Sequence, residues 1–565
     1  MLLITDEGNI LNRLQQFSQN IDVQKLIEQF YFNPKEPLIF NSGYFVFIFT
    51  VFMIGYAILH KTHFSKVIYV IIFSLYFYYR SSGYYYIILI FCVFFDFLTG
   101  HLIHRAQNKT KRQLLLFFSL TVNLGILFYF KYTNFLIDSV NTISDTAYKK
   151  IDIFLPVGVS FFTFQSMSYT IDVYRKKIKP VTNILDYGFF VSFFPQLVAG
   201  PIIRAYDFIP QLYKPTVITK KMIGRALFLI TIGLFKKSVI SDYIGVNFVD
   251  RIFDQPGLYS GVENLFGVYG YALQIYCDFS GYSDMAIGIA LLLGFRFPKN
   301  FDSPYQSKNI TEFWRRWHIS LSSWLKDYLY FSLGGNRNGH IMGYFFPVVF
   351  FVGMIIWGIL GIQNGTYWQL LIAGIFIFFF TLSILVSHNK KKSLHGSFNQ
   401  MTTMLLGGLW HGASMRFILW GAMHGLALAI HKAFLSIFKI TPKKNKKSHP
   451  IVNVLSIAFT FHFVCFCWIF FRATDMNSAW TVLSQIVYKF DPHIFVQMIT
   501  GYKLVFILML TGFVLHFTPV RWENWAQVRL AKAPYIVALL FLFVVVLIVA
   551  QIKSSDIQPF IYFQF

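Results

Sequence analysis

Charge is scarce in this sequence. Of its 565 residues, only 13% are Asp, Glu, Lys or Arg, against roughly 25% in a soluble chain, which excludes an ordinary water-soluble globular domain. Cysteine is scarce as well. All four, Cys92, Cys277, Cys465 and Cys467, lie in apolar segments, and Cys465 and Cys467 are too close for a zinc pair of the Cys-x-x-Cys kind. They read as buried small hydrophobes and say nothing firm about redox compartment. The chain lacks internal repeats, low-complexity tracts, a Gly-x-Ser-x-Gly elbow, a P-loop and a Rossmann fingerprint. No soluble catalytic module is therefore expected, and any chemistry falls to the apolar body or to a partner. The first 36 residues lack a basic stretch leading into an apolar one, so they are not a cleavable signal peptide. Segment 1–36 reads instead as an amphipathic interfacial helix pair.

What is abundant is apolar surface. Hydrophobic residues make up 56% of the chain and aromatic ones 20%. Apolar runs recur at 37–59, 67–79, 84–98, 114–130, 222–234, 367–386, 451–471 and 535–550, several reaching the roughly 17–25 residues that a spanning helix needs. The expected fold is all-α: a polytopic membrane helical bundle over 37–552 with a dozen or more passes, some short or re-entrant, and an aromatic tail at 553–565. The 49 Lys and Arg against 25 Asp and Glu give a net charge of +24. Nucleic acid is not the expected partner, because the basic clusters at 61–66, 104–112, 175–179, 390–392 and 443–447 suit short loops that fix orientation. Pairs of apolar segments separate the first three, which predicts that they share one side, the cytoplasmic one. The N-terminus then lies outside if 37–59 is the first pass. The lysine-rich loops at 388–397 and 441–449 read as flexible connectors.

The middle third is too polar for a lipid-facing wall and is expected to line a cavity or pack inside. Gly200-Pro201 ends the apolar run 189–199, with Arg204 just beyond. In Cys277-Asp278-Phe279-Ser280-Gly281-Tyr282-Ser283-Asp284, the two aspartates are six residues apart, about 240° of helical turn. They cannot share a face unless Gly281 bends the backbone. The segment reads either as a polar element beside a reaction chamber or as a broken helix capped by its own Ser and Asp side chains. Segment 301–339 reads as one helix ending at Gly334-Gly335-Asn336, with Arg315 and Ser322 on the face of His318. Trp314, Trp317 and Trp324 suit an interfacial belt. Arg315 and Arg316 suit cytoplasmic anchors or a clamp for the phosphates of an anionic donor.

Two histidines stand out among the 15. His318 closes Phe313-Trp314-Arg315-Arg316-Trp317-His318, and His411 lies in Gly408-Leu409-Trp410-His411-Gly412. A lone histidine in an apolar run is more often a satisfied core residue, but glycines on both sides of His411 permit close approach of a substrate. An imidazole shielded from water favours its neutral, proton-accepting form, and a proton acceptor at membrane depth is a functional hypothesis. A metal site built from His411, His424 and His431 is disfavoured. His411 is thirteen residues from His424, about 220° around the helix, and no His-Glu-x-x-His or carboxylate-rich partner is present.

At these residues the chain resembles the membrane-bound O-acyltransferase family, in the bacterial branch of alginate O-acetylation, peptidoglycan O-acetylation and teichoic-acid D-alanylation proteins. The matching stretches are FPQLVAGP from Phe194, DFSGYSD from Asp278, NFDSPY from Asn300, FWRRWHIS from Phe313, DYLY from Asp327, LGGNR from Leu333 and GLWHGA from Gly408. They cover about 150–435 and are specific as a set, whereas 1–140 and 435–550 match only as hydrophobic passes. The resemblance implies a bundle around a central tunnel, with His411 catalytic and His318 a second polar residue near it. Trp410, Gly412, Asp278, Asp284, Arg315, Arg316 and Asp327 are then candidates to line the tunnel or contact substrate. Met415 departs from the aromatic expected after Gly-Ala-Ser. The ending Pro559-Phe560-Ile561-Tyr562-Phe563-Gln564-Phe565 resembles one in which a tyrosine is proposed to carry the acyl group, which implies a relay at Tyr562. Taken alone it reads as an aromatic anchor.

The expected activity is acyl transfer, most readily acetyl, from a cytosolic thioester such as acetyl-coenzyme A or an acyl carrier to a hydroxyl. His411 acts as general base, and His318 orients the donor or stabilises the oxyanion. No bound cofactor or metal is expected. Membrane lipid, an extracytoplasmic esterase-like transferase and an exported polysaccharide are the expected partners, in the inner membrane of a bacterial cell. The rivals are a transporter or flippase for a lipid-linked glycan, which would normally show paired halves, and a polysaccharide polymerase or ligase.

Overall fold

The computed structural model describes residues 27–34, 36–363, 367–440, 449–552 and 560–561. Most of the predicted N-terminal helix pair, most of the 441–449 connector and Tyr562 lie outside the described residues.

Among the described residues every regular element is a helix. Five helical stretches are long and apolar enough to cross a membrane, or six if the bent pair Pro492–Gly501 and Lys503–Phe517 is one span. Shorter apolar helices add Gly43–Leu59, Gln369–Leu385 and Leu539–Val549. This falls below the dozen that apolar runs suggest, because the runs 67–79 and 84–98 share the one stretch His63–Arg105, and 37–59, 367–386 and 535–550 fall in the shorter helices. Other apolar helices serve the interior: nearly every residue of Val159–Tyr174 is buried. Large apolar side chains on the outer helices, such as Ile58, Phe117, Ile341 and Phe459, are exposed, as a wall facing lipid requires. The protein is a multi-pass integral membrane protein.

The three N-terminal basic clusters come to one end, as their spacing predicts. Arg112 donates to the Tyr174 carbonyl, and His63, within the first cluster, pairs with Asp186 at 2.7 Å, shortly after the third. Irregular backbone inside the body is satisfied by neighbours: past Gly200-Pro201, Ile202 N–H donates to Ser320 Oγ at 3.0 Å. The four cysteines are free and buried.

Three expectations are corrected. Gly261–Leu292 is a single helix of 32 residues and does not break at Gly281. That glycine admits the backbone of the neighbouring helix, since a methyl there would meet the Gly233 carbonyl. Segment 301–339 is not one helix. Ile310–Arg316 and Ile319–Trp324 are separate, with His318 between them in the left-handed region at φ 41°, so Arg315 and Ser322 do not share a helical face with it. The 388–397 connector is largely helical, being the start of Lys390–His411.

That helix and Met415–Ile437 form a hairpin. Glycine sets their spacing: a methyl at Gly408 would run into the Phe417 carbonyl, and one at Gly421 into the Met404 carbonyl. Small residues let membrane helices approach to backbone contact, and here they place His411 at the tip.

Candidate active site

His411 is the last residue of Lys390–His411 and only 3% exposed. Its imidazole lies among three rings, with centroids 4.9 Å from Trp410, 5.0 Å from Trp420 and 5.2 Å from Phe471. Trp420 continues the aromatic wall to His424 at 4.7 Å, where Trp314 Nε1 donates to His424 Nδ1 at 3.3 Å. The tryptophans of the 301–339 segment are therefore core residues, not an interfacial belt. Trp317 and Trp324 are buried and Trp314 half-buried.

His318 is fully buried and approaches the same indole from the other segment, its centroid 6.2 Å from that of Trp410. Phe279 stands edge-on to it at 4.5 Å. A left-handed histidine costs about 1–2 kcal/mol, and Asn300 supplies the restraint. The Asn300 carbonyl accepts from Ile319 N–H at 2.8 Å, and its Oδ1 accepts from Ser320 N–H at 3.1 Å and Ser320 Oγ at 2.9 Å. The same Oδ1 lies 3.2 Å from His318 Nδ1. A backbone N–H fixes that atom as oxygen, so in the neutral ring Nδ1 carries the proton. Nε2 is then a proton acceptor, and it has no hydrogen-bond partner among the described residues. A small cavity of about 40 Å³ reaches Trp410, lined also by Lys131, Gly158, Ser160 and Val198.

The remaining candidates fall into other clusters. Asp278 and Asp284 take different partners, as six residues of helix require. Lys237 bonds Asp278 at 2.7 Å and Asp242 at 2.7 Å, and Lys236 bonds Asp284 at 2.8 Å. Asp278 also accepts from Ile561 N–H at 2.7 Å, and buried Phe560 packs on Phe279 at 5.3 Å and Tyr282 at 5.1 Å. Phe560 thus lies in the core one phenyl ring, that of Phe279, away from His318. Asp327 pairs with Arg204 at 2.5 Å, and Arg175 reaches its carbonyl. This group sits at the end that gathers the basic clusters, with no direct contact to either histidine. Arg316 bonds Glu312 at 2.7 Å and the Asp302 carbonyl at 3.1 Å, and Arg315 is exposed. Gly412 continues from His411 in extended backbone. Among the described residues no group of His, Cys, Asp or Glu is arranged to hold a metal ion, and His431 faces Thr311 at 2.8 Å.

Sequence reasoning missed Asn300 as the restraint on His318. It also missed Lys131, Lys236 and Lys237, although cations within apolar runs are a signal in their own right.

The two histidine segments fall one in each part of a match to a known family. Residues 176–382 and 384–472 match the MBOAT family, membrane-bound O-acyltransferase. The chain is 33% identical over 481 residues to a "Peptidoglycan O-acetyltransferase" of Helicobacter pylori, covering 80% of each. It belongs to the membrane-bound O-acyltransferase family. It is also 32% identical to a "Probable alginate O-acetylase AlgI" of Pseudomonas putida over 94% of this chain and all of that one. A "Teichoic acid D-alanyltransferase" of Bacillus subtilis is 27% identical over 55% of this chain and 67% of its own. This membrane-bound O-acyltransferase is accordingly an enzyme, and His318 and His411, both packed on Trp410, lie within the matched residues.

Proposed function

We propose that this chain transfers an acetyl group from a cytosolic thioester, acetyl-coenzyme A or an acyl carrier, toward hydroxyls of an exported polysaccharide in the bacterial inner membrane. The observation that carries the reading is the convergence of His411 and His318 on Trp410, from separate segments and shielded from water. Relatives named for acetyl transfer to peptidoglycan and alginate support the acyl group and the acceptor class.

His411 accepts the proton of the attacking hydroxyl as its oxygen bonds to the thioester carbonyl carbon. The C–S bond then breaks, and the sulfur leaves as a thiol with that proton. General base catalysis of this kind contributes about 10²–10⁴-fold. The tautomer imposed by Asn300 gives His318 an accepting Nε2, which favours orienting a hydroxyl over donating to the oxyanion. Tyr562 is the first acceptor in this reading. Phe560 and Ile561, just before it, are held beside Asp278 and Phe279, and a separate extracytoplasmic esterase-like protein carries the group onward.

The test is His411→Ala in the producing cell, with mass analysis of the surface glycan. Loss of O-acetyl groups with normal export and chain length is expected. Retained O-acetylation overturns the reading, and lost export favours a transporter. Acetyl mass on the Tyr562 peptide, absent in Tyr562→Phe, tests the relay separately.

A further inference from the structure

The last carbonyls of a helix have no acceptor role within it and need donors from elsewhere. At the end of Lys390–His411, those donors come from two adjacent residues of Lys109–Ser144, more than 270 positions earlier in the chain. Tyr132 Oη donates to the Leu409 carbonyl at 2.6 Å, and Lys131 Nζ donates to those of Trp410 at 2.5 Å and His411 at 3.0 Å. Gly412 N–H returns to the fourth, Gly408. A cation at this end also suits the negative pole of the helix. Lys131 lines the cavity that reaches Trp410, so its ammonium stands between that cavity and the backbone carrying His411.

We infer that Lys131 is a positioning residue for His411, with Tyr132 completing a clamp that fixes where the imidazole points relative to Trp410. The inference rests on His411 being the catalytic base. A lone lysine in an apolar segment would be costly to bury for packing alone, and three consecutive carbonyls are held where one anchoring bond would secure the helix. Lys131 holds His411 through its backbone carbonyl and also lies over the Trp410 ring at 5.9 Å, so its loss acts on the placement of the imidazole against that indole. A displacement of about 1 Å at a reacting group can cost on the order of 10²-fold in rate.

The experiment uses the full chain in detergent with acetyl-coenzyme A, following thiol release. Wild type and His411→Ala come first: an inactive wild type, or an active His411→Ala, removes the reading on which the clamp rests. With that secured, Lys131→Ala is expected to lower kcat about 10–100-fold with KM within about twofold. Lys131→Arg is expected to recover most of the rate. Propylammonium, which supplies the missing chain and charge, is expected to raise the rate of Lys131→Ala in a saturable way and leave wild type unchanged. Should Lys131→Ala not accumulate, Tyr132→Phe carries the test, with an expected kcat loss of about threefold or more and unchanged KM. Unchanged kcat in a folded Lys131→Ala or Tyr132→Phe overturns the inference, as does a folded Lys131→Ala whose loss neither arginine nor propylammonium repairs.

Discussion

Asn300 Oδ1 holds His318 at Nδ1 across 3.2 Å, and that bond decides which nitrogen of the buried ring can accept a proton. The same oxygen takes both donors of Ser320, so one side chain sets the tautomer of His318 and the left-handed turn that carries it.

Replacing Asn300 should therefore affect activity and stability together. Asn300→Ala leaves the Ser320 N–H, its hydroxyl and His318 Nδ1 without their acceptor, and an unsatisfied buried polar group costs about 1–3 kcal/mol. We expect a thermal midpoint several degrees lower and a loss of acetyl transfer of at least about tenfold, of the size a misplaced general acid–base group produces. Asn300→Asp keeps an acceptor in place and should retain more stability than the alanine variant. Thermal unfolding in detergent and glycan O-acetyl content measure the two effects. An alanine variant with wild-type values in both would show that the bond is dispensable.

The tail contact at Asp278 makes a second prediction. Lys237 and Asp278 are each only 3% exposed at the side chain, and removing one partner of such a pair costs about 3–5 kcal/mol. Here Asp242 remains to hold Lys237, so the lower part of that range is expected for Asp278→Ala. The variant also removes the acceptor of Ile561 N–H, which should release the tail. Protease cleavage at the C-terminus, followed by mass spectrometry, should be faster in Asp278→Ala than in Asp284→Ala. Equal rates would mean that apolar packing of Phe560 alone retains the tail.

The helical class, the one-sided basic clusters and the pair His318 and His411 were legible in the sequence, because they rest on apolar run length, charge spacing and unusual local context. The path of the chain around His318 was not. The 3.6-residue period runs unbroken from Phe313 to Ser322, yet the Asn300 side chain and carbonyl capture Ser320 and Ile319 and split the helix there. Gly281 misled in the opposite sense. A glycine between aspartates looks like a break, but its role is to admit the Gly233 backbone, and a helix–helix contact leaves no local mark. Trp317 and Trp324 suit a membrane interface equally well by composition. Only the fold shows them buried, Trp317 against Trp468 at 5.1 Å and Trp324 stacked on Phe164 at 4.0 Å.

Gly408 offers a test of how tightly the hairpin sets the site. A side chain there meets the Phe417 carbonyl and the Gly421 backbone, neither of which can rotate away. Overpacking of this kind costs about 1–3 kcal/mol, and it would separate the two helices just before Trp410. Gly408→Ala should lower the thermal midpoint and the transfer rate, whereas Gly374→Ala, on a glycine with nothing nearby, should change neither. Full activity in Gly408→Ala would show that the tip tolerates displacement.

Trp410 joins the two histidines, and its size is what the arrangement needs. Its indole faces His411 at 4.9 Å and His318 at 6.2 Å, backed by Phe161 and Phe164, each at 5.6 Å. Trp410→Ala would open a void between the imidazoles, and such a truncation in a packed interior costs about 3–5 kcal/mol. Water admitted to the void would compete with the acceptor hydroxyl for the proposed thioester donor. The expected signature is therefore a changed partition: transfer to the glycan falls by about tenfold or more, while thioester hydrolysis falls less or rises. Trp410→Phe fills part of the same space and should sit between the two. Measuring thiol release and glycan O-acetylation on the same membranes separates the outcomes. A Trp410→Ala protein that loses both in parallel would mean that the indole holds the histidines in place without shielding the reaction from water.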